Sequence, residues 1–269
     1  MDKKQVNRDI FRMVLPIVIE NVLQMLAGLV TTAMIGRLLA DDIAAQGIGN
    51  RINNTFWALF KGVGIGATVI VAMRYGQQKF HMCRRTVEQV YLTALPLAFC
   101  FVAFTLLFPE KVIALFTSDP VLVETARGYM RIVIFAVPFM ALSSINAAAY
   151  NGHGNTKTPM YIAFLMNGIN ITGNAIMIYG LHMGVAGASI ATLVSRIFGA
   201  VVTLYLLRWR SHGITIDSLL RWRLDFRMIR TILKIGIPNG LENGMFQIGK
   251  ILVQGFVASF GTIAIAANA

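Results

Sequence analysis

The sequence has little charge, few acidic residues and almost no cysteine. Of its 269 residues, 13% are charged, and 12 acidic residues stand against 24 lysines and arginines. The two cysteines, Cys83 and Cys100, fall in a predicted loop and in a predicted apolar segment, so they indicate neither a disulfide framework nor a metal site. The sequence also shows no nucleophile–base pair and no phosphate-binding loop. We therefore expect neither an enzyme nor a bound cofactor.

Apolar residues, by contrast, are abundant. They make up 56% of the chain, and the mean hydropathy is +0.65, which is typical of an integral membrane protein. A helix needs about 20 apolar residues to cross the hydrocarbon core of a bilayer. The first candidate lies within 15–47, which is too long for a cleavable signal peptide and lacks a small-residue cleavage site. The other predicted spans lie near 52–73, 87–108, 129–150, 159–178, 185–207 and 235–260.

The net charge of +12 has two explanations, nucleic-acid binding and the positive-inside rule. Its distribution separates them, because 16 of the 24 basic residues fall in the predicted cytoplasmic segments 1–14, 74–86, 151–160 and 208–234. This alternation by loop predicts a multi-pass protein of the cell membrane with a cytoplasmic N-terminus. Its surroundings are the lipid bilayer, and nucleic acid is not an expected partner.

The first apolar segment is repeated. Residues 15–47 recur 222 positions later as 237–269. A Pro-x-x-x-Glu-Asn spacing is not expected to align by chance between two apolar helices, so we interpret the match as an internal repeat. Its residues are Pro16, Glu20 and Asn21 in the first copy, and Pro238, Glu242 and Asn243 in the second.

The repeat predicts the domain organisation of an all-α membrane protein. Six spans, an even number, precede the second copy, so both copies enter the membrane from the same side and form parallel repeats. We predict a six-helix lobe at 1–207, a cytoplasmic linker at 208–234 and the first transmembrane helix of a second lobe at 235–269. The second copy breaks off at Ala269, so the remainder of a C-terminal lobe is expected to be missing.

Two carboxylates inside predicted spans are the candidate ion-coupling residues. An ionised carboxylate in hydrocarbon is costly, so Glu20 and Glu242 are each expected to bind a cation or a proton. The alternative is that each only holds a kink at the nearby proline. We predict that further polar residues line a substrate cavity: Gln24, Thr31, Asn53, Asn146, Asn170, Asn174, Asn243, Gln247 and Lys250.

Three other features carry structural expectations. The run Gly62, Gly64 and Gly66 predicts close packing between neighbouring helices. Arg196 is expected near the cytoplasmic end of its span, where it snorkels or caps the helix. An exposed turn is predicted at Asp41 and Asp42, between the first two spans.

Five motifs together resemble the multidrug and toxic compound extrusion (MATE) family of transporters. The resemblance covers essentially the whole chain, as one six-helix lobe plus the first helix of a second lobe in a twelve-helix fold. The motifs are LVTTAMIGRL at 29–38, GIGATVIVAMRYGQ at 64–77, NGHGNTKTP at 151–159, GVAGASIATLVSR at 184–196 and GIPNGLE at 236–242. The resemblance implies export of small organic compounds, often cationic, in exchange for H+ or Na+ by alternating access between two lobes.

The resemblance also bears on single residues. Where many relatives carry aspartate in the first and fifth helices, this chain has Thr31 and Asn174, while Asn170 is retained. The family's glutamate in the seventh helix matches Glu242. With both acids of the first lobe replaced by neutral residues, we hypothesise that Glu20 takes over ion coupling there.

Three alternatives were considered. A seven-helix receptor or retinal protein is disfavoured by the cytoplasmic N-terminus and by the repeat. A lipid-linked precursor flippase of the same superfamily needs several basic residues in its cavity, and the spans hold only Lys61, Arg196 and Lys250. The third is an inactive truncated fragment, because a cavity between two lobes needs both of them.

Overall fold

The computed structural model describes residues 3–36, 40–114, 120–210 and 224–258, and within these ranges the regular structure is entirely helical. This confirms the predicted all-α class. The described helices are α1 (Lys3–Ile35), α2 (Ala40–Gly76), α3 (Phe80–Leu107), α4 (Pro109–Ala114), α5 (Pro120–Val133), α6 (Ala136–Gly152), α7 (Lys157–Asn174), a π-helical turn (Ala175–Gly180), α8 (Gly184–Arg210) and α9 (Phe226–Ala258).

Five of the described helices, α1, α2, α3, α7 with its π-helical turn, and α8, are long and apolar enough to cross a membrane. A sixth span forms if Ala126–Val133 and Ala136–Gly152 are taken together, although the pair is bent by 45°. Pro138 accounts for this break, because it has no N–H to donate to the Ile134 carbonyl, which accepts from Val137 N–H at 3.1 Å instead. The predicted span at 129–150 is therefore a bent pair.

The seventh predicted span, 235–260, falls on α9, which does not reach the hydropathy of the others over its described residues. Its polar side chains lower the mean hydropathy. Both α1 and α9 contain an internal proline, Pro16 and Pro238 respectively, as expected for two copies of one repeat. The boundaries of the predicted lobe and linker stay predictions, since 211–223 and 259–269 lie outside the described residues.

The central helix is α2, which packs against α3, α5, α6 and α9. Its glycines explain how closely it approaches α9. A Cβ placed on Gly62 would lie 2.6 Å from the Gly240 Cα, and one on Gly66 would lie 2.6 Å from the Ile232 carbonyl oxygen. Gly64 faces α6 instead, where a Cβ would lie 2.7 Å from Ser144 Oγ. The structure thus places all three glycines at helix–helix contacts, as the sequence predicted.

The turn predicted at Asp41 and Asp42 is wrong. Both residues lie in the first turn of α2, which begins at Ala40, twelve residues before the predicted start of this span. The extension packs against α5, where Gly49 leaves room for the Tyr129 ring and the Tyr129 hydroxyl donates to Asn50 Oδ1 at 3.2 Å.

His153, just beyond the end of α6, gives a prediction on pH. Its Nδ1 lies 2.7 Å from the Ala149 carbonyl oxygen, and its ring packs beside those of Tyr75 and Tyr150. Burial lowers the pKa of His153, and the Ala149 contact opposes this only in part. At pH values around the ordinary histidine pKa of about 6.5, His153 therefore binds more protons in the unfolded chain than in the folded one. The stability that neutral His153 provides is lost as the pH falls through this value. The melting temperature should fall less between about pH 7.5 and about pH 5.5 in His153→Gln than in the wild type; equal falls would contradict this assignment.

Candidate substrate cavity

A cavity of about 370 Å³ lies between α1, α2, α6, α7 and α8. Cavities of roughly this size hold drug-sized molecules, whose apolar body needs apolar walls and whose polar groups need a few partners. The cavity offers both, because its lining is mainly apolar with charged groups set into it. The larger apolar side chains of the wall are Ile17, Trp57, Ile65, Val69, Met140, Ile162 and Met166.

Three charged side chains line the cavity, each from a different helix: Glu20 from α1, Lys61 from α2 and Arg196 from α8. Glu20 is the single carboxylate among the described lining residues. Its Oε1 accepts a long hydrogen bond of 3.4 Å from Gln24 Nε2, and its charge is attracted by that of Lys61. The Lys61 ammonium lies 4.3 Å from the centroid of the Trp57 ring, a cation–π distance.

Unpartnered polar atoms add to this lining. Ser143 Oγ, Asn151 Oδ1 and Asn167 Nδ2 are buried, and none has a hydrogen-bond partner within the described protein. Because buried polar groups are almost always hydrogen-bonded in native proteins, these three residues of the lining need partners that the described protein does not supply.

The predicted cavity residues separate into several groups. Glu20 and Gln24 line the cavity. Thr31, Asn170 and Asn174 do not, and form a hydrogen-bonded network between α1 and α7. Thr31 Oγ1 donates to Asn170 Oδ1 at 3.3 Å, Asn174 Nδ2 lies 3.2 Å from the same oxygen, and Asn170 Nδ2 donates to Thr192 Oγ1 at 3.3 Å. These neutral side chains bind one another away from the cavity, although Asn174 Oδ1 is buried and has no partner among the described residues.

Asn146 and Asn53 are also outside the lining. Asn146 is fully buried, accepts a hydrogen bond from the Tyr91 hydroxyl and donates through Nδ2 to Thr203 Oγ1 at 2.9 Å. Since Thr203 lines the cavity, Asn146 supports its wall from behind. Asn53 lies on α2 with its Oδ1 buried and without a partner among the described residues.

Two candidates on α9 have described side chains, Glu242 and Asn243, and neither is among the residues that line the cavity. Glu242 is exposed, and Asn243 Nδ2 donates to the Asn239 carbonyl oxygen at 2.8 Å. The contact between α9 and α2 explains this, because Gly236 and Gly240 face α2 and Glu242, two residues further along the helix, points to roughly the opposite side. The side chains of Gln247 and Lys250 lie outside the described residues.

Sequence reasoning missed Lys61 and Arg196 as cavity residues. Arg196 was expected to cap or snorkel at the cytoplasmic end of its span, yet it lines the cavity on the same helix as Thr203, seven residues further on. Lys61 shares its helix face with Gly64, Ile65 and Thr68, at offsets of three, four and seven. This helical spacing is the sequence signal that could have placed Lys61 on the face of α2 that lines the cavity.

The sequence matches a protein-family model and several curated proteins. A family model described as MatE matches residues 16–176. Among curated proteins, "Probable multidrug resistance protein YoeA" of Bacillus subtilis (strain 168) is 26% identical, over 98% of this chain and 59% of that protein. "Probable multidrug resistance protein NorM" of Thermotoga maritima is 27% identical, over 98% of this chain and 57% of that protein. The chain therefore spans a little more than half the length of these relatives.

Solved structures agree on the fold. A MOP superfamily transporter from Pyrococcus furiosus, reported to have a binding pocket of reverse polarity that suggests a different function, superposes with a TM-score of 0.87 at 22% identity, over 96% of this chain and 57% of that one. A MATE family transporter of the MOP superfamily in the outward-facing conformation superposes with a TM-score of 0.85 at 22% identity, over 93% of this chain and 55% of that one.

Proposed function

The chain belongs to the MatE family, and on this basis we propose that it forms one lobe of a transporter that exports small organic compounds in exchange for H+ or Na+. The observation that carries the proposal is the cavity of about 370 Å³, with apolar walls and one carboxylate, between helices that are apolar enough to span a membrane. Relatives named as multidrug resistance proteins support the export of organic compounds.

Glu20 is the proposed coupling residue. A carboxylate among membrane helices is stabilised by binding a cation or by taking up a proton, so H+, Na+ and a cationic group of a substrate compete for it. In alternating access, the cavity opens to one side at a time and Glu20 exchanges one of these for another. The pairing of Gln24 with Glu20 at 3.4 Å is weak enough to leave the carboxylate available.

The family and the charge distribution support a proposal on the location and orientation of the protein in the membrane. We propose a multi-pass protein of the cell membrane with its N-terminus in the cytoplasm and a second lobe as its structural partner. The coupling ion is the expected requirement, with no cofactor, no nucleic-acid partner and no enzymatic step. Glu242, exposed on α9, is proposed to serve the second lobe.

A second candidate is the transport of a lipid-linked precursor. It is favoured by one observation, the presence of both Lys61 and Arg196 in the cavity, because a diphosphate needs basic partners. Two cations in about 370 Å³ suit a small acidic group better than a large lipid-linked sugar diphosphate.

The test is efflux of a cationic dye from cells that lack their own exporters and express this chain within its complete reading frame. We expect gradient-dependent loss of dye, which a proton uncoupler or the removal of Na+ abolishes according to the coupling ion. Dye retention equal to that of cells carrying an empty vector would contradict export and would favour the inactive fragment.

A further inference from the structure

Arg196 is a cation that lines the cavity without a partner among the described residues. We propose that it is an anion subsite, so that the preferred substrates carry an acidic group, such as a carboxylate, sulfonate or phosphate ester, on an apolar body. In a compound that carries both charges, the acidic group lies at Arg196 and the basic group at Glu20. This inference rests on the proposed function, because it names the substrate class of the same cavity.

The first step in the argument is the isolation of the guanidinium. Arg196 lines the cavity from α8. Among the described residues, no carboxylate lies within ion-pair distance of it, and no hydrogen bond or ring contact holds it. An arginine stays charged in a protein, and a partly buried charge without a partner is costly. An anionic ligand removes that cost, whereas a purely cationic ligand adds to it.

The charge balance of the cavity points the same way. Two cations, Lys61 and Arg196, stand against the single carboxylate of Glu20 among the described lining residues. Glu20 and Lys61 attract one another, and the Lys61 ammonium has the Trp57 ring beside it at 4.3 Å. The positive charge that remains uncompensated is that of Arg196, and one acidic group neutralises it.

The neutral polar groups of the lining suit an acid as well. An acid group has only acceptor oxygens once ionised, so it needs donors. Arg196 offers a planar fork of N–H donors that can bind two oxygens at once. Asn167 and Ser143 line the same cavity, and their donor atoms, Nδ2 and Oγ, are buried without a partner among the described residues, so a small side-chain rotation would bring a free donor to an acid.

The walls between these groups accommodate the rest of the molecule. Met140 from α6, and Ile162 and Met166 from α7, form part of the apolar lining. Methionine side chains are flexible and adapt to irregular ligands, so the apolar body of the substrate need not have one shape. The proposed selectivity therefore lies in the acidic group rather than in the body.

The test uses Trp57 as a reporter inside the cavity. The chain has three tryptophans, so replacing Trp209 and Trp222 by phenylalanine leaves Trp57 as the single fluorophore. The purified 269-residue chain is titrated with three probes that share one aromatic body and carry a carboxylate, an amine or both. We expect the two acid-bearing probes to bind at least about tenfold more weakly to Arg196→Gln than to the parent chain, while the amine-only probe is unaffected or gains affinity.

Two variants and one matched ligand complete the design. Arg196→Lys keeps the charge without the fork and should fall between the parent and Arg196→Gln. Arg208→Gln, an exposed arginine on the same helix that does not line the cavity, should leave all affinities unchanged. In the unsubstituted cavity, the methyl ester of the acid-only probe should bind at least about tenfold more weakly than the acid, and this comparison holds even if Arg196→Gln does not fold.

Equal binding of acid and ester, or acid binding that is the same in the parent and in Arg196→Gln, would overturn the subsite. Binding to the amine-only probe alone would overturn it as well. The titration needs no gradient, so a chain that binds acids through Arg196 but fails in dye efflux would contradict the proposed function and leave the subsite standing. Dye efflux without Arg196-dependent acid binding would support the proposed function and contradict the subsite.

Discussion

Replacing Glu20 by glutamine should abolish gradient-driven export. Glu20 is the single carboxylate among the described residues that line the cavity, and the amide of glutamine keeps its size but has neither the negative charge that attracts Na+ nor a proton to exchange at neutral pH. We expect the export rate to fall by at least about tenfold, to the background of an uncoupled chain. The measurement is dye efflux from cells expressing the complete reading frame, with membrane expression levels matched.

The matched control is Glu110→Gln. Glu110 lies on α4 with its side chain 70% exposed, where it pairs with Arg127 at 3.3 Å, so its loss should leave export close to wild type. Wild-type export in Glu20→Gln, or equal losses in both variants, would contradict the role of Glu20.

The melting temperature distinguishes ion coupling from a purely structural role for Glu20, because a structural role predicts that Glu20→Gln loses stability. If Glu20 only held the helix near Pro16, it would bond to backbone, yet its recorded hydrogen bond is to the Gln24 side chain. The neighbouring Asn21 makes the backbone bond, from Nδ2 to the Ile17 carbonyl oxygen at 2.8 Å. Glu20→Gln should therefore melt within a few degrees of the parent chain, because losing one weak, partly solvated hydrogen bond costs at most about 1 kcal/mol.

Replacing Gly66 by leucine should detach α9 from α2. A Cβ on Gly66 would already lie 2.6 Å from the Ile232 carbonyl oxygen and 3.0 Å from the Gly236 nitrogen, and these are backbone atoms that cannot rotate away. Overpacking of this kind typically costs about 1–3 kcal/mol, and a whole leucine side chain against a helix backbone belongs at the upper end or beyond. We expect a fall in folded yield and a lower melting temperature in detergent.

The control for this prediction is Gly244→Leu. Gly244 lies on α9, the partner helix of Gly66, but a Cβ there would have no atom of the described residues within 4 Å. Leucine favours a helix over glycine by roughly 0.5–1 kcal/mol, so the control should melt at the same temperature as the parent chain or slightly above it. Equal melting temperatures for Gly66→Leu and Gly244→Leu would contradict the glycine contact between α2 and α9.

Much of the fold could be predicted because the determining signals are local. The length of an apolar run and the alternation of basic loops depend on neighbouring residues alone, and they indicated the spans on α1 to α8. The glycines at 62, 64 and 66 were also informative, since only residues without a bulky side chain permit such close helix contacts. The repeat was visible because the Pro-x-x-x-Glu-Asn spacing recurs at Pro16 and Pro238, which the structure places inside the helices α1 and α9.

The cavity could be predicted only in part, because its residues come from five helices. Helical spacing shows which side chains share a face, but the rotation of each helix against its neighbours decides which face meets the cavity. Thr31 lies on the face of α1 that carries Glu20, yet the Asn170 amide on α7 binds it away from the cavity. Arg196 shows the converse, since it was expected at the cytoplasmic end of its span, yet it lies in the middle of α8 and lines the cavity.

Glu20 and Glu242 show a further limit of the repeat. They hold equivalent positions in the sequence, and their surroundings differ: Glu20 lines a cavity formed by four further helices, whereas Glu242 is exposed on a helix whose glycine face is packed against α2. The equivalence of sequence therefore does not extend to the environment of these two carboxylates within the described residues.

The most direct test of the account is the number of protons released when a cationic compound binds to the purified chain. Calorimetric titrations at one pH, in two buffers with different ionisation enthalpies, give this number without any gradient. If Glu20 exchanges a proton for the compound, the parent chain should release up to about one proton per molecule bound at a pH where the free carboxyl is protonated and the compound-bound one is ionised, and Glu20→Gln should release none. The same proton release in both chains, or none in the parent chain at any pH where it binds, would contradict the proposal that Glu20 exchanges a proton for the compound.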